Sequence, residues 1–192
     1  LPILLCQNGE VLIGRTLEFG LDLEYNIYNN NHIKGIRASV KGQDDSYFTD
    51  GVNKHGIVAM AFYFPEFIQY SDEPLPGHVN IQSLQMVEYI LSNASSIDDI
   101  YRLCENLIIL NHVYKPVGFV FPLHWLCCDK DGRCIVIECS SDEKNQKGKP
   151  IIYENRYGVM TNSPTFPEHL QIISTKEVNA LVPYNNGNGY IQ

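Results

Sequence analysis

The sequence predicts an α+β fold, an antiparallel sheet sandwich with a pair of helices over one outer face. Strand-like runs come first, two amphipathic segments follow, and strand-like runs return. The strand–helix alternation of a doubly wound sheet is missing. The run Ile57-Val58-Ala59-Met60-Ala61-Phe62-Tyr63-Phe64 is apolar at odd and even positions alike, which marks a central strand covered on both faces. Two hairpin signals, Asn8-Gly9 and Asp129-Lys130-Asp131-Gly132, place antiparallel pairs near each end.

Taken in order, Pro2 to Cys6 and Val11 to Thr16 pair across Asn8-Gly9, because both turn positions tolerate positive φ. Tyr25 to His32 is polar and Asn-rich, a loop or ragged strand. Ile33 to Val40 reads as a strand, with Ile36, Ala38 and Val40 on one face, and Lys41 to Asp45 as a turn. Asp50 to Gly56 is dense in turn residues and delivers the chain into the central strand, which Pro65 ends. Tyr70 to Gly77 is a rigid, proline-bearing loop.

Two helices are expected next. Ile81 to Asn93 carries a broad apolar face, and Ser96 caps Ile97 to Leu110, with Asp98 and Asp99 at the positive end of the dipole. Cys104 lies on the apolar stripe Ile100, Leu103, Leu107, Leu110, which assigns it to the core. Val117 to Leu123 is a loop. Leu123 to Cys128 and Arg133 to Cys139 form the second hairpin, Ile151 to Glu154 a further strand, and Pro167 to Ile173 a short helix.

A chain of 192 residues with 44% hydrophobic and 19% charged content makes one globular domain, residues 1–192, with a substantial core. Fourteen basic against 22 acidic residues give a net charge of −8, which disfavours nucleic acid and anionic membrane as partners. No apolar run approaches the roughly 20 residues of a membrane helix. Six cysteines occur without a CxxC pair. Read as reduced, buried thiols they favour the cytoplasm, and a secreted disulfide protein is the alternative. The chain opens at Leu1 without Met and closes on Gly187 to Gln192, so further material is expected at both ends.

No serine nucleophile elbow, phosphate-binding loop or HExxH motif is present, and six scattered histidines suggest no metal. The reading implies no cofactor. What remains is a set of features at strand ends. Arg15 and Glu18 follow one strand, Tyr63 ends another, and Asn162 follows a third. The first pair could be a surface ion pair or part of a site. Asn162 could cap a turn or donate its NH₂ to a developing oxyanion.

Several segments resemble the choloylglycine hydrolase and penicillin V acylase family. They are Gly14-Arg15-Thr16-Leu17-Glu18-Phe19, Asp50-Gly51-Val52-Asn53 with His55-Gly56, Tyr63-Phe64-Pro65 with Tyr70-Ser71-Asp72-Glu73-Pro74, Pro122-Leu123-His124-Trp125, and Gly158-Val159-Met160-Thr161-Asn162-Ser163-Pro164. Each motif alone is weak, but they follow the family's order at near-family spacing.

The resemblance implies an N-terminal-nucleophile hydrolase fold, a four-layer αββα sandwich of antiparallel sheets, of which this chain would be the N-terminal larger part. It implies an amidase for linear amides whose nucleophile is an N-terminal cysteine, with that residue's own α-amine as base. An amine with pKa about 8 and a thiol of about 8.5 suit that work near neutral pH. By resemblance, Arg15 favours the thiolate, Glu18 stands where an aspartate orients the α-amine, and the Tyr63 backbone N–H and the Asn162 side chain form the oxyanion hole. The cysteine itself is expected about two residues before Leu1. Cys6 is no substitute, because it lies inside the first strand. A further family arginine falls beyond residue 192.

The expected substrate is a small-molecule acyl amide: a conjugated bile salt, penicillin V, or an acyl homoserine lactone. Tyr63 stands where bile salt hydrolases more often have asparagine and leans toward phenoxyacetyl groups. Phe19, Phe67 and Leu123 are the candidate pocket walls, with ordinary core as the alternative for each. Resemblance also implies a homo-oligomer, often a tetramer. The rival reading is a catalytically inactive relative that binds acyl ligands or serves structurally.

Overall fold

The computed structural model describes residues 3–7, 10–17, 20–140 and 146–175. The Asn8-Gly9 turn, Glu18, Phe19 and the segment from residue 176 onward lie outside the described residues. The first pair, β1 (Ile3–Gln7) and β2 (Glu10–Gly14), is antiparallel with Gln7 opposite Glu10, as the hairpin signal predicts.

Seven strands form the main sheet. They are β3 (Leu23–Asn29), β4 (Ile33–Val40), β5 (Tyr47–Asn53), β6 (Val58–Tyr63), β9 (Leu123–Cys128), β10 (Cys134–Glu138) and β11 (Ile151–Glu154). Their order is β11-β10-β9-β6-β5-β4-β3, every neighbour antiparallel.

β6 is the central strand, and its alternation works as expected. Ala59 packs into one hydrophobic cluster with Trp125, Cys127 and the helices, while Met60 and Phe62 pack into a second with Leu126, Cys128 and Phe166. Cys127 and Cys128 therefore point to opposite faces. Cys104 is buried in the first cluster, and burial pushes its thiol up to about 12, which leaves it inert at neutral pH.

The helix layer consists of α1 (Met86–Asn93), which lies over β5 and β6, and α2 (Ile97–Glu105), which packs beside α1. Ser96 caps α2 as predicted, its Oγ accepting from the Asp99 N–H at 3.1 Å. Both helices are shorter than their apolar stripes suggest. Val79–Gln82 is strand β7, and Leu107–Leu110 is strand β8, paired parallel to it. Leu107, Ile108 and Ile109 are all fully buried, and three consecutive buried apolar residues suit a strand covered on both faces better than a one-sided helix.

Two further expectations change. Asp50 to Asn53 is strand rather than turn, and the turn is confined to Lys54–Gly56. The stretch from Tyr25 is edge strand β3. The β4–β5 register shifts between Ile36 and Arg37, where Thr49 is the extra residue on β5, and Ile36 stands 38% exposed. The last described element is α3 (Phe166–Thr175), which seats Phe166 in the second cluster. No described helix is long and apolar enough to cross a membrane.

Candidate active site

Strand direction builds the site. In an antiparallel sheet, neighbouring strands begin and end alternately at the same edge. Leu23 starts β3, Val40 ends β4, Tyr47 starts β5, Tyr63 ends β6 and Leu123 starts β9. All five line one cavity of about 510 Å³, inside the usual range for small-molecule sites.

Arg15 enters this cavity from the chain after β2, with its guanidinium fixed on three sides. Nε and Nη2 meet the two Asp50 carboxylate oxygens at 2.6 and 2.7 Å, and Nη1 donates to the Ala61 carbonyl at 2.9 Å. The group also lies over the Phe62 ring, 4.8 Å from its centroid. The Arg15 side chain is 8% exposed and that of Asp50 14%. A guanidinium has five N–H donors, and among the described residues two of them donate hydrogen bonds, Nη1 to Ala61 and Nη2 to Asp50, while Nε contributes an ion-pair contact. The planar fork is what makes the two-point match possible, and lysine could not reproduce it.

Asp50 accounts for one quoted motif. Its neighbour Gly51 leaves room for Leu91 of α1, whose Cδ1 would stand 2.6 Å from any Cβ placed there. Asn53 donates to the Leu91 and Ala94 carbonyls at 3.0 and 2.7 Å and accepts the Ile57 N–H at 3.1 Å. One face of the motif holds the arginine, and the other end ties the strand to α1.

Tyr63 lies opposite Leu123 in the β6–β9 ladder. The Phe64 N–H donates to the Pro122 carbonyl at 2.8 Å, extending the pairing past the strand end. Asn162 stands in the loop between β11 and α3. Upstream of it, the buried Asn155 side chain donates to the Val159 carbonyl at 3.0 Å and accepts the Gly158 N–H at 3.1 Å. Arg15, Tyr63, Asn162 and Leu123 thus converge on one cavity. Phe67 does not line it, because its ring stacks on Phe64 at 5.1 Å instead.

Sequence reading missed the partner of Arg15 and most of the walls. Tyr25, Tyr47, Tyr114 and Phe121 line the cavity from separate parts of the chain. Tyr47 and Tyr114 meet edge-to-face at 5.7 Å, and Tyr114 meets Phe121 at 5.8 Å. Burial raises the hydroxyl pKa of both tyrosines, and the nearby Asp45 raises it further, so these walls stay uncharged near neutral pH. The site is an apolar, aromatic chamber with one clamped cation and one amide at its edge.

The family described as linear amide C–N hydrolases, choloylglycine hydrolase family, matches residues 3–183. The chain belongs to the choloylglycine hydrolase family. An uncharacterised protein of Paramecium bursaria Chlorella virus 1 is 31% identical over 190 residues, covering 98% of this chain and 64% of that protein. A conjugated bile acid hydrolase of Lactobacillus gasseri is 30% identical over 181 residues, covering 85% of this chain and 55% of that enzyme. Among solved structures, a cysteine-to-alanine mutant of the Clostridium perfringens conjugated bile acid hydrolase superposes with a TM-score of 0.76. It is 23% identical and matches 98% of this chain and 64% of its own. The chain therefore spans between 55% and 64% of the length of these relatives. Its sheet and helix layers are those of the N-terminal-nucleophile hydrolase αββα sandwich that this choloylglycine hydrolase family uses.

Proposed function

We propose that the protein is a cysteine-dependent amidase that cleaves a linear amide between a bulky, aromatic acyl group and a small polar amine. The observation that carries this reading is the convergence of Arg15, Tyr63 and Asn162 on one aromatic cavity. The nucleophile is an N-terminal cysteine preceding Leu1, and its own α-amine takes the thiol proton. The thiolate attacks the amide carbon. The carbonyl oxygen gains the negative charge and accepts hydrogen bonds from the Tyr63 N–H and the Asn162 side-chain NH₂. The C–N bond breaks as the protonated α-amine returns its proton to the leaving amine. Water, deprotonated by the same amine, then cleaves the thioester and releases the acid.

Arg15 supports the thiolate through its remaining N–H donors, and Asp50 already balances its charge. In this reading Glu18 orients the α-amine, Leu123 and Phe19 belong to the acyl wall, and Phe67 supports it from behind through Phe64. The tyrosine-rich wall and Tyr63 itself favour phenoxyacetyl groups over bile acids. Among the described residues, five free, buried cysteines support a reducing compartment such as the cytoplasm.

The test uses protein expressed from its natural reading frame, with the N-terminus read by mass spectrometry. A mature N-terminal cysteine is expected, together with release of phenoxyacetate from penicillin V. Glycine or taurine release from bile conjugates is the control for the other acyl class. Replacing Asn162 with alanine is expected to lower kcat by about 10² to 10³. Binding of the free acid without turnover by protein that carries the cysteine would instead make this an acyl-ligand-binding relative.

A further inference from the structure

Beneath the cavity lies a buried polar pair that the proposed chemistry does not use. His124 on β9 and Glu138 at the end of β10 are both 0% exposed, with His124 Nδ1 3.1 Å from Glu138 Oε1. They fall on the strand face whose other inward positions are Leu126, Cys128, Cys134 and Val136. Apolar residues at both positions would avoid the cost of burying the pair. A polar pair there is therefore informative about what it touches.

It touches the neighbours of Tyr63 on one side and the end of the Asn162 loop on the other. The His124 ring stacks flat on Phe64, with centroids 4.1 Å apart and planes 5° apart, and meets Phe62 edge-on at 6.2 Å. Phe62 and Phe64 flank Tyr63. On the other side, Glu138 Oε1 accepts the Phe166 N–H at 3.0 Å, at the first residue of α3. Phe166 closes the loop that carries Asn162, so Glu138 holds that loop at its α3 end. The loop's own contacts, Thr161 Oγ1 to the Ser163 carbonyl at 2.8 Å and to His169 Nε2 at 2.5 Å, shape it but do not tie it to the sheet.

We propose that the His124–Glu138 pair is a positioning device that fixes the Asn162 loop against the Tyr63 strand end, so that both donors meet one oxygen. This rests on reading Asn162 as an oxyanion donor. Glu138 holds the α3 end of the loop and orients His124, and His124 packs against the aromatic residues on either side of Tyr63. Neither residue touches substrate.

The test is a double-mutant cycle in the natural-frame protein. Glu138→Leu is expected to lower kcat by about 10-fold or more, with KM changed less than about twofold, because small displacements of a positioned group are costly to the reacting geometry. Glu138→Gln keeps an acceptor oxygen for the Phe166 N–H and is expected to recover most of that loss. In an Asn162→Ala background, Glu138→Leu is expected to cost nothing further, since the loop no longer carries the donor. Equal losses in the two backgrounds, or no loss in either, would overturn the proposal.

A second readout does not depend on turnover. Amide hydrogen exchange across residues 160–166 is expected to speed up about tenfold in Glu138→Leu, with the β6–β9 ladder unchanged. Unchanged exchange in that loop overturns the proposal even if the protein proves not to be an amidase. Should Glu138→Leu not fold, the paired His124→Phe/Glu138→Leu variant removes both polar partners together and carries the same two measurements.

Discussion

Asp50 turns Arg15 from a mobile charge into a fixed one. The two-point ion pair and the Ala61 carbonyl leave the guanidinium no freedom to rotate. Asp50→Asn keeps the shape but removes the countercharge from a largely buried cation. The expected cost is about 3 kcal/mol in urea unfolding, and kcat should fall by about tenfold or more as Arg15 shifts. Wild-type behaviour in both assays would mean that the pair contributes nothing to the site. Arg15, Tyr63 and Asn162 were legible because short motifs in family order carry them. Asp50 stood inside one of those motifs but read as a turn residue. The signal was available: an acid within a strand needs a cation, and an arginine followed the first hairpin. The tyrosine walls had no such signal, because Tyr25 and Tyr47 arrive on separate strands and Tyr114 on a distant loop, with no spacing in the sequence to link them.

At the scale of elements, β4 and β5 pass each other unusually closely. Gly35 lies opposite Gly51, and a Cβ on Gly35 would stand 2.3 Å from the Asp50 carbonyl oxygen and 2.8 Å from the Gly51 Cα. Backbone cannot yield there as a flexible side chain would. Gly35→Ala is therefore expected to destabilise by about 1 to 3 kcal/mol, read as a lower Tm. A companion loss of activity is expected, because the strand pushed aside is the one that holds Arg15. An unchanged Tm would show that the two strands separate freely. The helix boundaries teach a related lesson. The stripe Ile100, Leu103, Leu107, Leu110 has helical spacing, yet the chain leaves the helix at Asn106. Apolar spacing could not reveal that β7 waits beside β8 to pair with it, whereas the Ser96 cap and the Asp129–Gly132 turn act locally and were readable.

For the molecule as a whole, the central strand and the helix pair were visible in the order and alternation of apolar residues. The edge strand and the bulge were not, since polar sequence hides the first and register the second. The His124–Glu138 pair also sets a pH dependence on global stability. Burial, with His169 nearby, lowers the His124 pKa against the opposing pull of Glu138 and the Thr161 main chain. The unfolded chain then binds a proton near pH 6.5 that the folded protein refuses. Stability is full above that pH and is lost as the pH falls through it. Asp72, Asp99, Glu154 and Glu168, whose pKa values are lowered by their hydrogen-bond partners, add losses only in more acidic solution. Tm is expected to drop between pH 7.5 and 5.5 in the wild type and to stay nearly level in His124→Phe. Parallel slopes for the two proteins would count against a neutral buried imidazole.

The sheet order carries an evolutionary consequence. Leu23 and Tyr25 ride on the outermost ladder, with a neighbour on one side only, whereas Arg15 is rooted in β5 and β6, further in. Sequence drift at that border can reshape the cavity without unseating the guanidinium. The cavity's shape is thus free to diverge among descendants of this scaffold while the clamped cation stays as it is.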